Sequence, residues 1–235
     1  MMALPKNPVF LAVDTVDLEA AKALVAAAAP AIGGLKLGLE FFNRHGLDGV
    51  AALTADLPLF LDLKLHDIPN TVAGAVRAVE AARPSLLTIH ASGGGAMIRA
   101  ARAAATAATR ILAVTVLTSL DEVDLRSIGQ SVPLTDQVKR LAALAQESGA
   151  DGVVCSPWEV ASLRAQCGQD FVLVVPGIRP SGAELGDQKR VMGPAAAIAA
   201  GASCLVIGRP ISAAADPRAA ALAIAAELGV AQAGI

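Results

Sequence analysis

Short runs of β-branched and leucine side chains alternate along the chain with longer alanine-rich stretches. The runs VFLAVD (9–14), GLKLG (34–38), LFLDLK (59–64), LLTIHA (86–91), RILAVTVL (110–117), GVVCS (152–156), FVLVVPG (171–177) and CLVIGRP (204–210) predict eight strands. Each is apolar nearly throughout, the mark of parallel strands covered on both faces. Segments between them, such as LEAAKALVAAAA and TVAGAVRAVEAA, place Ala and Leu at helical spacing with Pro or Gly near their ends. Asp17 before Leu18 and Asn70 before Thr71 are the expected helix N-caps. No shift in composition marks a linker, so one domain is expected over 1–235. Eight β–α units in a domain of roughly 250 residues predict a single (β/α)8 TIM barrel. A doubly wound open sheet is the alternative, but the first βα turn lacks G-x-G-x-x-G and eight repeats suit closure better.

Composition narrows the function. A chain of 235 residues that is 54% hydrophobic can bury a large core, and with 3% aromatic residues that core must be built from Ala, Val, Leu and Ile. A net charge of −2 without runs of like charge argues against nucleic acid as a partner. Every apolar stretch is broken by Gly, Pro or a charge before it reaches membrane-spanning length. The start, MMALPKNPVFLAVD, has too short an apolar run for a signal peptide. Cys155, Cys167 and Cys204 show no paired spacing and read as reduced thiols, which points to the cytoplasm.

Charge matters by its position, because only 17% of the residues are charged. In such a barrel the chemistry lies at the carboxyl ends of the strands and in the loops beyond them. Asp14 ends strand 1, Lys36 lies on strand 2, and Asp62 and Lys64 end strand 3. Gly177 and Arg179 follow strand 7, while Gly208 and Arg209 end strand 8. Alternate residues of a strand share a face, so Asp62 and Lys64 point the same way, with Asp67 just past the strand. A lone Asp–Lys pair is commonly a surface salt bridge. The whole set, gathered at strand ends of a charge-poor chain, is better read as a site.

Other conspicuous residues have plainer readings. His45, His66 and His90 lack metal-ligand spacing and read as polar or packing histidines, with His66 a possible partner behind the site. HASGGG (90–95) reads as a turn into a helix, Trp158 as a packing or interface residue, and Cys155 and Cys204 as small core residues.

LDLKLHDIPNT closely resembles the D-x-K-x-x-D-I-x-x-T signature of the orotidine 5′-monophosphate decarboxylase family, and the resemblance extends along nearly the whole chain. LAVD with Asp14 and GLKLGLEFF with Lys36 resemble the family's first and second strand motifs. VPGIRP with Arg179, then Gln188, and VIGRPI with Gly208 and Arg209 resemble its phosphate-binding elements. LTS (117–119) stands where the family has a hydroxyl residue contacting the nucleotide; Thr118 is assigned, although Ser119 could serve. The resemblance implies decarboxylation of orotidine 5′-monophosphate to uridine 5′-monophosphate with no metal or organic cofactor. It also implies a homodimer in which Asp67, Ile68 and Thr71 reach into the partner's site.

That reaction leaves a carbanion at C6 of the pyrimidine, in an orbital the ring cannot easily delocalise. Without an electron sink, the protein must supply electrostatic stabilisation and a proton. Lys64 is the candidate donor, with Asp62 and Asp67 as its flanking opposite charges. Lys36 completes an alternating Lys–Asp–Lys–Asp array that is nearly neutral and cheaper to bury than lone charges. Asp14 is placed for a ribose hydroxyl, and Arg179, Gln188 and Arg209 for the phosphate. The segment 178–193, with Gly182, Gly186 and Gly193, reads as a lid. Metal-dependent sugar-phosphate lyases and synthases with a related D-x-K-x-x-D strand are one rival. They would need an additional acid near strand 2, where this chain has Lys36, with Glu40 further on. A non-catalytic phosphate-ligand sensor on the same scaffold is the other rival, and it would have no need of Lys64.

Overall fold

The computed structural model describes residues 4–54, 57–130, 133–180 and 192–230. Its strands are β1 (Val9–Val13), β2 (Gly34–Gly38), β3 (Leu59–Leu65), β4 (Leu86–His90), β5 (Arg110–Val114), β6 (Gly152–Val154), β7 (Val172–Val175) and β8 (Cys204–Ile207). All pair in parallel with their sequence neighbours, and β8 returns to β1, so the sheet closes into a barrel. The helices between them are α1 (Leu18–Ala28), α2 (Leu39–Leu53), α3 (Pro69–Val79), α4 (Gly94–Ala104) and α5 (Glu122–Ser127). They continue with α6 (Leu134–Glu147), α7 (Val160–Cys167), α8 (Pro194–Ala199), α9 (Arg209–Ser212) and α10 (Pro217–Glu227). The predicted (β/α)8 barrel is therefore the observed fold.

Strand alternation divides the apolar residues into two cores. Outward-facing Leu11, Leu35, Leu61 and Ile89 join helix residues such as Phe41, Val76, Ile98 and Leu163 in a shell between sheet and helices. Inward-facing Phe10, Phe60, Leu86, Leu112, Val172, Val174 and Cys204 fill the floor of the barrel. Two of the chain's five phenylalanines meet there edge to face, Phe10 and Phe60, with ring centroids 6.0 Å apart. Gly34 makes room for them: a Cβ at that position would stand 2.4 Å from the Phe10 ring. Dense packing of this kind makes the lower barrel solid, not a channel.

Cys204 belongs to this floor as read from the sequence, and burial pushes its thiol up to about 12 against the opposing charge of Arg110. All three cysteines are buried and none is in a disulfide. Trp158, in contrast, is 63% exposed and is not a core residue.

Asp17 caps α1 as expected, its carboxylate accepting the N–H groups of Glu19 and Ala20 at 2.9 and 3.0 Å. The expected cap at Asn70 is corrected. α3 starts two residues earlier, at Pro69, whose fixed φ and missing N–H suit the first helical position, so Ile68 takes the extended cap conformation. Among the described residues, no helix is long and apolar enough to cross a membrane.

Candidate active site

Inward positions change character along the barrel axis. Above Phe10 come Ala12 and then Asp14; above Gly34 comes Lys36; above Phe60 come Asp62 and Lys64. Register sets these side by side, pairing Ala12 with Lys36 and Gly38 with Asp62. Three adjacent strands thus lift four charges to the carboxyl-terminal mouth.

The charges alternate in space as well as in kind. Lys36 Nζ donates to Asp14 Oδ1 at 2.9 Å and lies 3.9 Å from Asp62 Oδ2. Lys64 Nζ donates to the same Asp62 oxygen at 2.7 Å. The side chains of Lys36 and Asp62 are 11% and 14% exposed, so the centre of the chain is nearly dry, whereas Asp14 at 56% opens to solvent. Each buried charge therefore has an opposite neighbour, the condition under which ion pairs can be kept in a low-dielectric setting.

Two groups behind the array were not legible as site residues. Thr88 of β4 is fully buried; its hydroxyl donates to Asp62 Oδ1 at 2.9 Å and accepts the backbone N–H of Lys64 at 2.9 Å. His90, two residues on, has its ring centroid 5.4 Å from that of His66. Burial, then His66 and then Lys64, push His90 below its ordinary range against the pull of Asp62, so it is neutral at pH 7 and adds no charge beside the ammonium.

Lys64 also carries an unusual backbone. Its φ of +49° lies in the left-handed region, shared among the described non-glycine residues only with Arg83. Such a conformation costs on the order of 1–3 kcal/mol and persists only where surroundings enforce it. The β3–β4 register shifts between Leu61 and Leu65 at this point, so the strand bulges where it carries the lysine.

A cavity of about 490 Å³ opens above the array. Arg179 and Arg209 stand on its β7–β8 side, and Phe60, Val114, Val154 and Val206 give it apolar walls. Among the described residues, four cationic and two anionic side chains line it, Lys36, Lys64, Arg179 and Arg209 against Asp14 and Asp62. A surplus of positive charge in a chain of net charge −2 suits an anionic ligand. Gly177, with φ +74°, and Gly208 bring backbone close to the same space.

The structure brings Asp14, Lys36, Asp62, Lys64, Thr118, Arg179, Gly208 and Arg209 together around this cavity. Ser119, the alternative to Thr118, is exposed outside it. Asp67, Ile68 and Thr71 are not brought in. The strand ends at Leu65, and His66–Thr71 form an exposed run in which Asp67 accepts the N–H of Ile68 at 2.6 Å. Within one chain Asp67 therefore does not flank Lys64, contrary to the reading of strand 3 alone. Gln188, with Gly182 and Gly186, lies outside the described residues. Glu40 is exposed in the first turn of α2 and is not part of the lining.

Comparison with known proteins gives a consistent picture. Residues 7–224 match the family model described as Orotidine 5'-phosphate decarboxylase / HUMPS family. A protein of Paramagnetospirillum magneticum named orotidine 5'-phosphate decarboxylase is 55% identical over 233 residues, spanning 95% of this chain and 99% of its own. One of the same name from Thermobifida fusca is 55% identical over 94% of this chain and 95% of its own. The crystal structure of orotidine 5'-phosphate decarboxylase from Lactobacillus acidophilus matches with a TM-score of 0.84 at 38% identity, covering 96% of this chain and all of that one.

Proposed function

The chain belongs to the orotidine 5'-phosphate decarboxylase / HUMPS family, and from that premise we propose that it converts orotidine 5′-monophosphate to uridine 5′-monophosphate without a metal or organic cofactor. The observation that carries this reading is the chain of contacts from Asp14 through Lys36 and Asp62 to Lys64 at the base of a cavity with two arginines across from it.

The pyrimidine ring lies over Lys64 with the phosphate toward Arg179 and Arg209. The C6–carboxylate bond breaks, carbon dioxide leaves, and the electron pair stays on C6. The Lys64 ammonium stabilises that charge and then transfers a proton to the same carbon, regaining one from solvent. Asp62, held at 2.7 Å, fixes where the ammonium points. It also stands where it repels the substrate carboxylate, a repulsion relieved as carbon dioxide departs. Asp14, solvent-open and bonded to Lys36, accepts a ribose hydroxyl, and Thr118 contacts the nucleotide from the far wall.

The family description also covers a second activity, and the strand 2 position separates the two. A metal-assisted synthase needs an additional acid beside Asp14 and Asp62; here that place holds Lys36, and Glu40 faces solvent. Asp14 and Asp62, the carboxylates among the described cavity residues, are already bonded to ammonium groups.

The test is a metal-free assay following loss of ultraviolet absorbance from orotidine 5′-monophosphate. Turnover should be unchanged by excess chelator. Absence of turnover would defeat the decarboxylase reading, and loss of turnover on chelation would defeat the cofactor-free one.

A homodimer completes the site in this reading. The exposed run His66–Thr71 begins two residues after Lys64 and carries Ile68 at 67% exposure, which supports its burial against a second copy. Asp67, Ile68 and Thr71 then enter the partner's cavity. Mixing Asp67→Ala and Lys64→Ala chains should restore about a quarter of wild-type activity, because half the dimers are mixed and each repairs one of its two sites. No recovery in confirmed mixed dimers would overturn shared sites. The buried cysteines, held as thiols, support a cytoplasmic location.

A further inference from the structure

We propose that Thr88 is a positioning residue for the decarboxylation, the group that holds Lys64 and Asp62 in their working geometry; the proposal rests on the decarboxylase reading above. The β3–β4 ladder pairs Leu61 with Leu87 and next Leu65 with Ile89, so β3 advances four residues while β4 advances two. Thr88 is the β4 residue opposite this gap, fully buried on the inner face of the barrel.

Its hydroxyl closes a ring of bonds. The Lys64 N–H donates to Thr88 Oγ1 at 2.9 Å, Thr88 Oγ1 donates to Asp62 Oδ1 at 2.9 Å, and Asp62 Oδ2 accepts from Lys64 Nζ at 2.7 Å. Donor chemistry leaves one arrangement. A backbone N–H can only donate and an ionised carboxylate can only accept, so the hydroxyl must take the first proton and give its own to the second. The same side chain thereby stands in for the ladder partner that the bulge removes from Lys64. It also fixes the carboxylate that aims the Lys64 ammonium. The left-handed backbone at Lys64, φ +49°, is what this ring holds in place.

Valine matches threonine in shape but has no hydroxyl, whereas serine keeps the hydroxyl and loses only a methyl. Thr88→Val should lower kcat about ten- to hundredfold, since one buried charge-assisted bond and one backbone bond are lost together. The KM for orotidine 5′-monophosphate and the Kd for uridine 5′-monophosphate should stay within about threefold, because the arginines hold the phosphate. Thr88→Ser should recover kcat to within about threefold of wild type. A merely structural role predicts the opposite order, with the cavity-forming serine at least as impaired as the isosteric valine.

Near-wild-type kcat in Thr88→Val, or equal impairment in the two variants, would overturn the proposal. Should the valine variant fail to fold, Thr88→Cys replaces it. Its weak thiol donor should give an intermediate kcat, and wild-type turnover there would overturn the proposal equally. A wild-type protein without decarboxylase activity would defeat the decarboxylase reading instead. The geometric claim would still be decided by a crystal structure of Thr88→Val or Thr88→Cys, in which Lys64 should leave the left-handed region; its unchanged retention there would overturn it.

Discussion

Replacing Lys64 with alanine should lower kcat by about 10⁴-fold or more while the chain keeps its fold and its hold on nucleotide. A positioned proton donor is worth about 10²–10⁴, and a preorganised charge facing a developing anion is worth about 10²–10³. Lys64 supplies both from one nitrogen, so the losses combine, though not as a simple product. Stability should change little. Asp62 keeps its bond from Thr88 and its contact with Lys36 at 3.9 Å, so no carboxylate is stranded. The left-handed backbone is as costly for alanine as for lysine, because the clash arises at Cβ, which both possess. Circular dichroism and melting temperature should match the wild type, and uridine 5′-monophosphate should bind within a few-fold. A variant retaining kcat within about tenfold of wild type would remove Lys64 from the reaction. This result also separates the enzyme from a phosphate-ligand sensor, for which Lys64 would be dispensable.

What could be read from the chain was the architecture and most of the charged residues around the described cavity. GLKLG predicted β2 to the residue, and the apolar runs located every other strand, because a parallel strand buried on both faces leaves an uninterrupted hydrophobic signature. Position on the strands singled out Asp14, Lys36, Asp62 and Lys64, and alternation set the last two on one face, without knowledge of their partners. Less legible was the point where β3 stops being regular. Nothing about a lysine announces a positive φ, so the bulge beneath Lys64 was invisible. Thr88 was hidden for a different reason. In LLTIH a threonine reads as one more β-branched strand former, and only the pairing of β4 with β3 shows that its hydroxyl is spoken for twice. Asn70 was mistaken for a cap because its side chain type outweighed Pro69 before it, whose preference for the first helical position was the available signal.

Arg209→Ala should raise the KM for orotidine 5′-monophosphate by about 10–100-fold, the loss expected for a charge-assisted contact to phosphate. The side chain leaves from the first residue of α9, on the β8 side of the cavity, while Ile211 two residues later is fully buried and holds that turn to the barrel. Truncating an exposed guanidinium there should leave the melting temperature within a few degrees of wild type. A lysine at 209 should recover only part of the affinity, since an ammonium supplies the charge but not the planar fork that meets two phosphate oxygens. The decisive comparison removes the other partner. Orotidine, which lacks the phosphate, should be turned over poorly but equally by wild type and Arg209→Ala, because the arginine then has nothing to grip. The two deletions should therefore be strongly non-additive in kcat/KM, as expected of groups in direct contact. An unchanged KM for the nucleotide, or equal losses on both substrates, would move the phosphate away from β8 and leave Arg179 as the remaining arginine of the described cavity lining.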